Sequence, residues 1–234
     1  MNTKNLRFFI FRTISNSLLI GSALALIFVY GPIVKDNVVY AIFKSRGVDY
    51  QVDYKEINVK QNFATRTKTV FGSLLNKTPL TLKPVNTEFS IVIPKIGISV
   101  PVVLNVTVVN EDEYFKALKK GVAHARATAL PGEVGNSYYF AHSSINFWEL
   151  GAYSNSFNLL RNLAPGDEIN IFYQGKRYVY DVSQTEIVHG WDTEPYFQNF
   201  DKPTITLQTC DPPGTTLNRL LVIGELNDTN TADY

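Results

Sequence analysis

Residues Thr13 to Val34 carry no charge, and the centre of that run, LLIGSALALIFVYGPIV, holds only small, aliphatic and aromatic residues besides one serine. Lys4, Arg7 and Arg12 stand before it and Lys35 closes it. A helix crossing the hydrocarbon core needs about 20 predominantly apolar residues, and basic residues ahead of such a span favour an amino terminus left in the cytoplasm. Residues 1–35 are therefore expected to form a cytoplasmic tip and a transmembrane signal-anchor, with the rest of the chain on the outer side. A cleaved signal peptide competes with this reading, but the large residues Tyr30, Ile33 and Val34 stand where a small-residue cleavage site belongs.

At 234 residues the chain is long enough for one well-packed domain plus an appendage. The 22 Lys and Arg balance 21 Asp and Glu, so the chain lacks the electrostatic footprint of a nucleic-acid-binding protein. There is one cysteine, Cys210, which rules out an intrachain disulfide and a cysteine-based metal cluster.

From Asp36 to Asn86 short apolar pieces lie among scattered charges with no clean period, and residues 36–87 are expected to be a stalk or spacer, partly helical. After Glu88 the texture changes. Phe89, Ile91 and Ile93 alternate, and Pro94, Gly97 and Pro101 punctuate the strand-like VPVVLNVTVV. Asn110 can cap a short helix with Glu111, Asp112 and Glu113 in its first turn, Lys119 and Lys120 in its last and Gly121 beyond, with Phe115 and Leu118 facing inward. Residues 121–136, GVAHARATALPGEVGN, carry too many glycines and breakers for a regular element, whereas SYYFAHSS reads as a strand with a polar tip. Phe157, Leu160 and Leu163 recur every three residues before Pro165 and Gly166 stop that helix. Ile169, Ile171 and Tyr173, then Tyr178, Tyr180 and Val182, alternate on either side of a turn at Gln174 and Gly175. TITLQTC and RLLVIGEL are two last strands around DPPGTTLN. About eight short strands with two brief helices predict a closed or nearly closed, mainly β barrel over residues 88–228, ahead of a polar tail at 229–234.

Cys210 ends an apolar strand and begins a loop with two prolines and a glycine, which places its thiol at a barrel rim. Most unpaired cysteines are small buried hydrophobes, but the strand-end position and an oxidising outer compartment weigh toward a reactive thiol. Such a thiol needs a base or a positive neighbour. Of the three histidines, His142 also marks the end of an apolar strand and ranks first. His124 lies in the glycine-containing segment, near the site or in its wall, and His189 precedes Gly190 and Trp191 in a loop with a structural or substrate-proximal role. Arg219 begins the strand returning from DPPGTTLN, so antiparallel pairing brings its guanidinium beside the cysteine, where its planar donors suit a developing oxyanion.

These residues give the chain a resemblance to the sortase family. TLQTC at 206–210 resembles that family's TLxTC nucleophile motif, DPPGTTLNRLLV puts Arg219 where the family keeps its arginine, and SYYFAHSS matches the strand-end histidine at His142. IPKIGISVPV, GVAHARATALPGEVGN and GDEINIFYQGKRYVYDV add to the match, which runs from Glu88 to about Asn227. The resemblance implies an eight-stranded sortase-like β-barrel and a two-step acyl transfer. Cys210 attacks the carbonyl after the threonine of an LPXTG-like sorting signal, His142 serves as acid and then base, and Arg219 holds the oxyanion. The thiolate and imidazolium are then a minority state of the pair. Thr209 is expected to line the substrate groove, with His124 as a second, lesser contact, and the loop from Trp191 to Lys202 to read the signal. The implied partners are proteins bearing a carboxy-terminal sorting signal, an amine acceptor such as a cell-wall peptide, and the membrane.

No cofactor is expected. No carboxylate cluster with calcium-ligand spacing stands out in the sequence, which leaves calcium dependence open. Two pilus-assembly marks, an aromatic-bearing lid motif and a second apolar span, are not seen, which favours an anchoring role. Three alternatives remain: hydrolysis without transfer, an envelope L,D-transpeptidase, and a membrane-tethered binding domain sharing the barrel. The L,D-transpeptidases usually keep a glycine- and histidine-rich segment before their cysteine, where this chain has TLQT.

Overall fold

The computed structural model describes residues 3–52, 80–143, 153, 155–227 and 232–233. The apolar run lies in a single helix, α1 (Thr3–Arg46). Its stretch from Phe8 to Phe28 has a mean hydropathy of 1.6 and no part buried against the rest of the molecule, and is long and apolar enough to cross a membrane. Lys35 ends the apolar run but not the helix. The helix continues until Gly47, whose φ of 64° takes the left-handed conformation of a carboxy-terminal stop just after Lys44 and Arg46.

Two short parallel strands, β1 (Tyr50–Val52) and β2 (Leu80–Leu82), come next. Phe43, Val48 and Leu80 bury one another, and Leu82 packs with Val92 and Phe172 of the barrel wall. Part of the expected spacer is thus attached to the barrel surface. Its middle, residues 53–79, lies outside the described residues.

The barrel is built from β3 (Phe89–Ile93), β4 (Ile98–Val106), β5 (Val122–Ala125), β6 (Gly135–Phe140), β7 (Glu168–Tyr173), β8 (Lys176–His189), β9 (Pro203–Asp211) and β10 (Asn218–Leu226). Their order is β10-β9-β6-β5-β4-β3-β7-β8, and pairing of β8 with β10 closes the ring at eight strands. A two-residue strand, β11 (Ala232–Asp233), adds to β8. Pairs β4–β5 and β6–β9 are parallel and the other pairs in the ring are antiparallel. Closure satisfies the edges an open sheet would expose. Inside, Ile91, Ile93, Tyr139, Ile169, Ile171, Ile205, Leu207 and Val222 form one core with almost no exposed surface.

Helix α2 (Glu111–Leu118) begins as the sequence predicts, with Asn110 Oδ1 accepting from Glu113 N at 3.1 Å. Its buried face differs from expectation. Ala117 and Leu118 go inward, while Phe115 is 36% exposed and sits at the rim. Gly121 is required by a close approach as well as by the helix end, since a Cβ there would lie 2.2 Å from Pro101 O.

The segment 121–136, expected to be irregular, contains the fully buried strand β5. Phe157, Leu160 and Leu163 are buried, and the helix expected from their recurrence is a 3₁₀ turn from Leu160 to Asn162, whose three residues per turn match their spacing. The β7–β8 hairpin turns through Gln174 and Gly175 with φ of 50° and 76°, the paired left-handed geometry of a two-residue hairpin loop.

Candidate active site

Strands β9 and β10 put Cys210 directly opposite Arg219. Residues opposed across a ladder share a face of the sheet, so thiol and guanidinium emerge side by side at the rim. Arg219 is also the partner of Val188 on β8, which seats it at the seam where the barrel closes. Its Nη1 donates to the carbonyls of Thr216 and Asn218, both at 3.2 Å, so the end of the loop and the start of β10 hold the guanidinium in place.

His142 lies two residues past β6, the parallel neighbour of β9. Three contacts fix its backbone. Ala141 N donates to Gln208 O at 3.2 Å, Thr209 Oγ1 donates to Ala141 O at 3.0 Å, and Phe157 N donates to His142 O at 3.2 Å.

Helix α2 supplies side chains that sequence reasoning missed. Tyr114 stacks on Phe140 with centroids 5.2 Å apart and meets the His142 ring edge-on at 6.2 Å, while Phe115 lies nearly parallel to that ring at 6.1 Å. The Tyr114 phenol is also within electrostatic reach of Cys210 and Arg219, and burial pushes it up to about 12, so it stays protonated at neutral pH. Tyr114 thus links the imidazole to the thiol–guanidinium pair. Among the described residues no hydrogen bond joins His142 to Cys210.

Burial sets the protonation of the pair. The half-buried Cys210 thiol is pushed up by desolvation, against the opposing pull of Arg219. His142 is pushed down to about 4, again by desolvation. Both groups are neutral near pH 7, and burial disfavours each charged form.

This buried imidazole makes stability depend on pH. Unfolded, it binds a proton near the ordinary 6.5, whereas folded it resists down to about 4. The unfolded chain therefore binds more protons in that window, and stability falls as pH drops through it, by at most about 3 kcal/mol. Urea unfolding at pH 7 and pH 4.5 is expected to show a smaller acid-induced loss for His142→Gln than for the unsubstituted chain. Equal losses would contradict the buried, neutral imidazole.

Two expected substrate contacts fall elsewhere. His124, on β5, has no exposed surface; its Nε2 lies 3.0 Å from Ala129 O, and its ring sits between Phe89 and Tyr139 inside the barrel. Thr209 is 3% exposed and points inward to Ala141 O, because the strand period of two turns it away from the face that carries Cys210. His189 ends β8 and stacks on Trp191 at 4.3 Å. The loop beyond it carries helix α3 (Glu194–Phe197), which is pinned by Tyr196 donating to Arg126 O and packing on Tyr138. No group of three or more His, Cys, Asp or Glu gathers to hold a metal ion among the described residues.

A thiol beside a fixed guanidinium, with an imidazole on the neighbouring strand end, is an arrangement suited to thiol-based acyl transfer on a closed β-barrel. The profile of the sortase domain matches residues 91–227. YwpE of Bacillus subtilis (strain 168), which carries the sortase name, is 38% identical over 72 residues, 31% of this chain and 70% of the relative. Among solved structures, sortase C-1 of Actinomyces oris (20% identity, TM-score 0.50) covers 83% of this chain and 98% of its own. A lid mutant of sortase A from Corynebacterium diphtheriae (23% identity, TM-score 0.50) covers 83% and 95%. These two structures share the fold. The chain belongs to the sortase family.

Proposed function

We propose that this chain is a membrane-anchored cysteine transpeptidase that cleaves an LPXTG-like sorting signal and joins the freed acyl end to an amine. The observation that carries the reading is the direct pairing of Cys210 with Arg219 beside the strand that delivers His142.

Proton transfer from Cys210 to His142 makes a thiolate, which attacks the carbonyl after the signal's threonine. The oxyanion develops beside the Arg219 guanidinium. His142 protonates the departing amine as the C–N bond breaks, leaving a thioester on Cys210 and a neutral imidazole. An incoming amine, such as the amino group of a cell-wall peptide, then attacks the thioester and passes its proton through His142 to the departing thiolate, restoring the starting pair.

Helix α1 anchors the enzyme with its amino terminus in the cytoplasm and its barrel outside. The loop from Trp191 to Lys202 contacts the sorting signal, a role supported by the high exposure of Trp191 and Phe197 beside a pinned Tyr196.

The test is to incubate the detergent-solubilised full-length chain with LPXTG-type peptides and a glycine-based amine, following intact protein mass and peptide products. A thioacyl adduct together with a ligated peptide is expected. Cleaved peptide without ligation would mean hydrolysis or a different acceptor, and no adduct across a panel of signals would overturn the reading.

A further inference from the structure

The return segment, residues 155–163, meets the site at two points. Phe157 N donates to His142 O, and four residues later Arg161 Nη2 meets Asp211 Oδ1 at 2.5 Å. Asp211 is the residue after Cys210 on β9. Between these points Phe157 and Leu160 are completely buried in the barrel core, so the return segment is anchored from below. Arg161 lies at the surface, 44% exposed, and Asp211 is 16% exposed, which leaves the pair partly shielded from water.

The contacts from Thr209 and Gln208 hold His142 from its amino-terminal side. The Phe157 bond and the Arg161–Asp211 pair come from residues 155–163 and join that segment to His142 and to the cysteine's strand end. An exposed ion pair usually adds little to global stability. One that spans two chain segments bearing reactive groups can instead set their separation, and reaction rates fall steeply when reacting groups drift by an ångström.

We propose that Arg161 is a positioning residue: through its ion pair with Asp211 it holds the segment that bonds the His142 carbonyl, and with it His142, at a fixed place relative to Cys210. The inference rests on the reading of Cys210 and His142 as the reacting pair. Among the described residues, the rings that face the imidazole are Tyr114 and Phe115 from α2; Cys210 and Arg219 lie within electrostatic reach of Tyr114. Loosening the return segment lets water reach the ring from the side these residues do not cover.

The test uses the full-length chain in detergent with two readouts. The first is peptide transfer, where Arg161→Ala is expected to lower kcat by about tenfold or more at unchanged KM. Arg161→Lys, which keeps the charge, is expected to recover most of the rate, and so is the exchanged pair Arg161→Asp with Asp211→Arg. The second readout needs no sorting signal: an NMR titration of the three histidines, assigned by single His→Gln variants. The unsubstituted chain should show His142 titrating near 4, and Arg161→Ala should move that midpoint upward by about a unit toward the solvent value as the ring hydrates.

A pair that serves stability alone would lower the unfolding temperature while leaving the His142 midpoint and kcat in place, and that result would overturn the proposal. If Arg161→Ala does not fold, Asp211→Asn breaks the same pair from the other end, and an unmoved midpoint there overturns it equally. If the unsubstituted chain processes no peptide, the functional reading fails, while the titration still decides whether Arg161 fixes the histidine.

Discussion

Cys210→Ala is expected to form no thioacyl adduct and no ligated peptide while leaving the barrel folded. The substitution removes one sulfur atom from a half-buried position at the end of β9. The strand's ladder to β10 and its parallel pairing with β6 use backbone groups that alanine retains. Stability should therefore change by no more than about 1 kcal/mol. Activity should respond on a different scale, because the loss of a covalent nucleophile costs on the order of 10⁶ in kcat where it has been measured. Tyr114, Arg219 and the loop from Trp191 to Lys202 are untouched, so a labelled sorting peptide should still bind with near-normal affinity. Intact-mass and fluorescence-anisotropy measurements on the same sample separate the two effects. Product formed by the variant would remove Cys210 from the chemistry, whereas lost binding would point to a structural cysteine.

The β9–β10 hairpin is legible in the sequence because each strand is apolar and the intervening PPGTTL reads as a loop; antiparallel pairing then dictates which ends meet. The cap of α2 is equally clear, since Asn110, the acidic first turn and Gly121 all mark the same helix. The strand β5 is hidden for a physical reason. Its four residues, VAHA, are buried on both faces, so it shows no alternation, and its small side chains resemble the breakers around it.

The same burial explains His124, whose imidazole is spent on Ala129 O behind the wall. Thr209 departs from expectation because adjacency in a motif does not carry shared orientation: consecutive strand residues point to opposite faces. Tyr114 escapes sequence reasoning because helical periodicity divides residues into inside and outside, and a rim is neither. The protonation of Cys210 and His142 is beyond sequence altogether, because it is set by how much water three-dimensional packing removes.

Arg219 tests whether charge or shape matters more at this site. It is the group whose positive field opposes the burial-driven rise of the Cys210 pKa, and it is also the candidate donor to the oxyanion. Arg219→Ala removes both. The midpoint of Cys210 alkylation by iodoacetamide should move to higher pH, because the thiolate loses its stabilising neighbour while desolvation remains. The rate of thioacyl formation should fall by roughly 10²–10³, the usual cost of removing an oxyanion donor.

Arg219→Lys separates the two contributions. The ammonium restores a positive charge near the thiol, so the alkylation midpoint should return close to its original value. It lacks the planar fork, and it cannot both keep the carbonyls of Thr216 and Asn218 and face a substrate with directed N–H groups. Acylation should therefore stay about tenfold or more below the unsubstituted chain. Full recovery of acylation by lysine would mean that Arg219 acts as a charge alone, leaving the oxyanion to other donors. An unmoved alkylation midpoint in Arg219→Ala would mean that the cross-strand pair, though adjacent in register, is not electrostatically coupled.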